Sequence, residues 1–213
     1  MKLIRLAMGA LGMAAWLVAG AAPAAAGPSF EFLFNPNRVS NDHQLFLNLA
    51  VSNSGYDRAV LEPVLPRIQY VEADLPVVLF VARQSRQPLD GIVNLRSRGL
   101  GWSGIFNQLH VAPDVLFVGI DRDPGPPYGK AWGHWKQNRS KVLLSDDEVR
   151  GLVEVQMGSR WAGASPYELA RARGQGKSVV TYVADKHGRP FQDGGPGKEK
   201  GGGKQKGNGR NKG

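Results

Sequence analysis

The residues best equipped to do chemistry stand together in the stretch Asp121-Arg-Asp-Pro-Gly-Pro-Pro-Tyr-Gly-Lys-Ala-Trp-Gly-His-Trp-Lys136. If the chain turns helical after Tyr128, then Tyr128, Trp132 and Trp135 share one face. Such a face is an aromatic platform for a glycan or another flat ligand. Lys130 and His134 lie among the rings, and Asp121 and Asp123 offer carboxylates for acid–base work or for a cation. The same residues have a plainer use. Large rings are mostly buried for packing, and three of them can pin a long proline-rich connection onto neighbouring helices. The packing reading expects at least two of the three rings to be buried, Trp132 and Trp135 foremost. Asp-x-Asp without a later spaced acid is not a calcium loop, and histidines without H-x-x-x-H spacing make no zinc site. Arg122 sits between the two acids and can neutralise them. The pattern therefore points to no metal and no cofactor.

Nucleophilic chemistry finds little support elsewhere. The chain contains no cysteine, which removes a thiol nucleophile and every disulfide. No G-x-S-x-G turn or paired-carboxylate motif is present, so no catalytic residue is assigned. Glycosidase carboxylates need no local motif, which leaves a cell-wall glycan enzyme or glycan-binding protein using the central aromatic segment as the alternative reading. Arg96 and Arg173 are a second candidate set, an anion-binding pair. Their plainer role is to bond the last carbonyls of a helix or an acid of a neighbouring helix.

These residues are placed by a pattern that occurs twice. Leu95-Arg96-x-x-Gly99 and Ala172-Arg173-x-x-Gly176 lie 77 residues apart, and the same offset carries Leu75 onto Leu152 and Ile92 onto Leu169. Pro88 and Pro166 miss the offset by one, which predicts a one-residue shift between the copies. The internal duplication covers about 70–110 and 145–188. In the first copy Asp74 reads as an N-cap, Leu75–Ala82 reads as a buried helix, Pro88 opens a second helix, and Gly99 closes it. Trp102–Leu109 makes a third, short helix. In the second copy Ser145-x-x-Glu148 and Ser165-x-x-Glu168 are both capping boxes. Ser178–Lys186 is a helix or a strand. Ahead of both copies, His43–Val51 has helical spacing with Asn41 or Asp42 as its cap. Asp57–Ile68, with two prolines, is at best an interrupted helix presenting Ala59, Val60, Pro63, Val64 and Ile68 on one face. Phe30–Phe34 is a short strand or an extended arm.

Within the first copy, Gly99–Val115 resembles the start of a helix-turn-helix, in which Trp102 and Ile105 pack the first helix and V-x-P-D-V opens the recognition helix. Val115–Ile120 is apolar where a recognition helix shows polar side chains to base edges. The resemblance thus implies a shared way of packing and no sequence-specific DNA binding. The order of copy, proline–glycine–aromatic segment and copy resembles a group of uncharacterised exported bacterial proteins. It implies export and supplies no functional residues.

Export also follows from the first 26 residues. Lys2 and Arg5, an apolar run over Leu6–Ala22 and Ala24-Ala25-Ala26 read as a secretory signal with cleavage near Ala26. The net charge of +9 belongs mostly to the far end of the chain. From Lys198 to Gly213 there are six basic residues and one acid, whereas residues 27–197 carry a net charge of only +2. The Gly/Lys-rich stretch over 193–213 has nothing to bury and reads as a disordered basic tail. The fold class is accordingly mainly α, with two related helical units joined by an extended Pro/Gly/aromatic segment in one domain over 27–192. The function expected is a non-catalytic periplasmic or secreted binding or scaffolding protein. Its partners would be anionic envelope polymers or lipids met through the tail.

Overall fold

The computed structural model describes residues 41–188. The signal segment, Phe30–Phe34 and the basic tail lie outside the described residues. Among those residues the chain is helical, with three 3-10 turns and no strand. Helix α1 spans Asp42–Ser52 and the one-turn α2 spans Arg58–Leu61. The first unit follows as α3 (Val71–Ser85), α4 (Leu89–Ser97) and α5 (Trp102–Gln108). Helix α6 (Gly129–Asn138) ends the connection. The second unit is α7 (Asp146–Ala162), α8 (Pro166–Gly174) and α9 (Val179–Lys186).

The 77-residue offset holds in the backbone. Helix α4 begins and ends 77 residues before α8, and Arg86 and Gly163, each left-handed, close α3 and α7 at the same offset. Gly99 and Gly176 have φ of 87° and 83°. In both turns a helix-closing bond reaches back five residues, from Leu100 to the Leu95 carbonyl and from Lys177 to the Ala172 carbonyl. Glycine is required there because a side chain at positive φ costs energy. The expected one-residue shift is absent. Pro88 is the N-cap of α4, whereas Pro166 is the first helical residue of α8 after its N-cap Ser165. Proline fits either place because neither N–H is needed inside the helix.

Several local expectations are corrected. Helix α3 starts at Val71, so Asp74 is not its cap; it lies within the helix and is 1% exposed. Ser145 and Glu148 form the capping box in both directions, but the Ser165 side chain makes no cap bond. Ser178–Lys186 is a helix, with the Ser178 hydroxyl accepting from Thr181 N. Asn41 caps α1 through Gln44 N at 2.8 Å. Across 57–68 the buried side chains are Leu61, Val64, Leu65 and Ile68, while Val60 is 47% exposed. The prolines break the helix there, and the second half turns a different face inward.

The two long helices α3 and α7 pack on each other at the centre, with α1 against α3 and α9 and α9 against α7. Leu75, Val78, Val81, Leu152, Val153 and Val155 are all fully buried at this centre. One core therefore serves both units. No helix among the described residues is long and apolar enough to cross a membrane.

Candidate functional site

The central aromatic segment is built mostly into the core. Tyr128 is 3% exposed and Trp135 8%, but Trp132 is only half-buried, against the expectation that it would be among the deepest. Trp135 stacks on Phe117 with centroids 4.6 Å apart, and its indole N–H donates to Asp114 at 3.2 Å. The Trp132 N–H donates to the Ile120 carbonyl at 3.0 Å. Lys130 and His134 are exposed on α6. Asp123 accepts the Gly125 N–H at 2.8 Å and shapes the turn into α6. Arg122 does not neutralise the flanking acids; its guanidinium lies over the Tyr167 ring at 4.4 Å. The rings thus use their faces and N–H groups on the protein itself.

Arg96 and Arg173 each hold an acid on the first helix of their own unit, and each also reaches beyond that unit. The Arg96 Nε donates to Asp74 at 3.1 Å, and its terminal nitrogen meets Asp146 at 2.6 Å. Asp74 also receives Arg150 Nε at 2.9 Å and the Trp102 indole N–H at 3.2 Å. Asp74 lies on α3, Arg96 on α4, Trp102 on α5 and Arg150 on α7, so one buried carboxylate ties both units together. Arg150 is held above its ordinary pKa: burial opposes its charge, but the bond to Asp74 and the charge of Asp74 outweigh it. In the second unit Arg173 meets Glu154 at 3.0 Å and the Tyr128 hydroxyl at 3.4 Å. His43 of α1 stands 3.9 Å from Glu154. Burial pushes the Glu154 carboxyl above its ordinary pKa despite the lowering charges of Arg173 and His43. Burial likewise raises Tyr128, against the pull of Arg173. Such bonded, half-enclosed charges hold helices together and leave little room for a ligand.

An open cleft of about 790 Å³ lies beside the second unit. One wall is the loop carrying Gly119, Asp121 and Arg122. The others are α8, with Tyr167, Glu168 and Arg171, and the Gly176 turn with α9, which bring Lys177, Tyr182 and Lys186. Two features seat the loop. Gln156 of α7 donates to the carbonyls of Leu116 and Val118 at 3.0 and 2.9 Å. Gly119, at φ 72°, passes so close to Pro166 that a Cβ would lie 2.9 Å from its ring. Of the candidate site residues named from the sequence, Asp121 alone lines this cleft. Tyr167, Arg171, Lys177, Tyr182 and Lys186 were missed, and Arg122 and Glu168 were given structural roles only, although the repeat held the signal. At the offset of 77, Lys177, Tyr182 and Lys186 fall on Leu100, Ile105 and Leu109.

No group of three or more His, Asp or Glu side chains is placed to hold a metal among the described residues. The chain matches no family model, no curated protein and no solved structure.

Proposed function

We propose that this chain is a non-catalytic exported protein, built on a duplicated helical unit, that binds or scaffolds an anionic partner of the cell envelope. The single observation that carries the reading is the division of charge across the fold. The most deeply buried carboxylate, Asp74, is held by two arginines, while the cations Arg122, Arg171 and Lys186 gather at one open cleft without a carboxylate partner among the described residues. Charges already bonded inside a core stabilise or specify a fold, and unpaired charges around a concavity are available to a ligand. The basic residues beyond Lys198 add a longer-range attraction for the same sign of partner. Periplasmic or secreted placement is part of this proposal and rests on the reading of residues 1–26.

The alternative, a glycan-acting enzyme or glycan-binding protein using the central aromatic segment, has less support. Tyr128 and Trp135 are buried, and Asp121 meets other rings, Tyr167 and Tyr182, in the cleft. The test is to purify the exported chain from its own envelope and identify what accompanies it, with and without residues 198–213. A copurifying anionic polymer or lipid supports the proposal. Hydrolysis of cell-wall glycan by the pure chain refutes it in favour of the alternative.

A further inference from the structure

We infer that the cleft between the 119–122 loop, α8 and α9 is a binding site for a phosphorylated polyol, met as a free ester or as a lipid headgroup. The inference rests on the binding-protein reading and names the ligand class for its site.

The molecule contains its own control for the cleft. Helix pair α8–α9 repeats α4–α5, so the first unit shows what this backbone needs for folding. At the positions of Lys177, Tyr182 and Lys186 the first unit has Leu100, Ile105 and Leu109, all packed on the core. The position of Arg171 is held there by Asn94. The turn and the two helices form with apolar residues at these places, so the backbone does not require the cations of the second unit.

Three of the cleft's four cations are without a carboxylate partner among the described residues. Lys177 pairs with Asp185 at 2.5 Å, but Arg122, Arg171 and Lys186 have no such partner among the described residues. Asp121 and Glu168 line the same space without pairing with them. Two of the cations rest on rings: Arg122 over Tyr167 at 4.4 Å and Lys186 over Tyr182 at 5.6 Å. A cation over an aromatic face is partly oriented before any ligand arrives. The rings are thereby occupied, so charge and not stacking is what the cleft presents.

The ligand class follows from these features. A phosphate monoester concentrates nearly two charges in one group and a lipid-headgroup diester one, and the non-bridging oxygens of either can meet more than one cation at once. The cleft, at about 790 Å³, is the size that takes a small organic molecule, well beyond an inorganic ion. Asp121 and Glu168 would repel a second phosphate close by but accept hydrogen bonds from hydroxyls. Phosphate toward Arg171 and Lys186, with hydroxyls toward the acids, satisfies both signs.

The test is calorimetric titration of the full chain with glycerol 1-phosphate, with gluconate, and with phosphatidylcholine vesicles with or without phosphatidylglycerol. The basic tail stays in place in every cleft variant. The Arg171→Gln/Lys186→Gln chain should lose about tenfold or more in affinity for the phosphate probe that binds. The Arg171→Lys/Lys186→Arg chain should keep most of it. Arg171 and Lys186 are both exposed, so thermal melting of either variant should match the parent. Binding of glycerol 1-phosphate assigns a free ester, and binding of the phosphatidylglycerol vesicles alone assigns a headgroup; either supports the site when the double variant weakens it. Equal affinity for gluconate overturns the phosphate class. Unchanged binding in the double variant, binding lost only when 198–213 is removed, or no binding to any probe overturns the cleft. The copurification test of the binding-protein reading stands apart from each of these results.

Discussion

Arg96 and Arg173 occupy the same place in two helical units, yet the acids they hold sit differently. Arg96 reaches Asp74, whose side chain is 2% exposed and is bonded by a second arginine and an indole. Arg173 reaches Glu154, 17% exposed, which lies one helical turn further along its unit's first helix and has His43 as its other charged neighbour. The position equivalent to Asp74 is Gly151, and the Tyr128 ring fills the space over it, 2.9 Å from where a Cβ would stand. The connection between the units thus takes, in the second, the place that the buried acid takes in the first. Equivalent helices are locked by a charge network in the first unit and by an inserted ring in the second. Arg96 shares its acid with Arg150 of α7, whereas Arg173 holds Glu154 alone among the arginines.

Substitutions at the two centres should separate them sharply. Asp74→Ala leaves Arg96 and Arg150 half-buried without their shared partner, and should cost about 3–5 kcal/mol in urea unfolding. A loss below about 1 kcal/mol would show that the arginines find other partners, Asp146 and Asp147 being nearest to hand. In the second unit the contact that tolerates least is steric. A Cβ at Gly174 would stand 2.2 Å from the Pro126 carbonyl oxygen, whereas Ser97 holds the equivalent place in the first unit. Gly174→Ala should therefore cost about 1–3 kcal/mol by the same measurement, since backbone must move to admit it. Ser97→Ala should stay within about 0.5 kcal/mol of the parent.

Trp102→Phe removes the indole N–H from Asp74 and weakens the stacking of Arg96, 4.8 Å from the ring. It should cost about 1–2 kcal/mol, and less than that when added to Asp74→Ala, because the acceptor of the indole N–H is then already gone. The smallest effect is expected at Glu154. Its pKa is raised in the fold, chiefly by burial, so folding disfavours the charged carboxylate relative to water. Its contribution to stability is complete below the ordinary glutamate pKa and is lost as pH rises through the raised value. Glu154→Gln should accordingly melt at or above the parent near neutral pH. The parent should gain on the variant as pH falls from about 7 to about 4. A parent that loses ground over that window would mean that Arg173 outweighs burial.

Much of the helical plan was legible because its causes are local. Asn41 ahead of α1, Ser145 with Glu148, and Gly99 and Gly176 at positive φ each act within a turn of their own position. The offset of 77 was readable from five positions and survives at both ends of α4 and α8. Asp74 was misread because an acid just before an apolar helix is ordinarily a cap. Only the arrival of Arg96, Trp102 and Arg150, from 22 to 76 residues away, makes burial of its charge tolerable. The ring depths failed for a related reason. Trp132 and Trp135 look alike on the α6 face, but Phe117 and Asp114 cover one and leave the other half open.

The sequence by itself determined most of the helix spans, the 77-residue offset that relates two of them, and where basic charge accumulates along the chain. Those properties depend on caps, periodicity and composition within a few neighbouring residues. Which acid meets which arginine, and which rings are covered, was decided only when α3 packed on α7 and the connection folded back over both. The cleft belongs to the same class. Arg122 and Lys186 are 64 positions apart and share a space only because Gln156 and Gly119 seat the loop against α8. Contacts of that separation carry no local signature, since their energy comes from partners that the chain brings together late in its length.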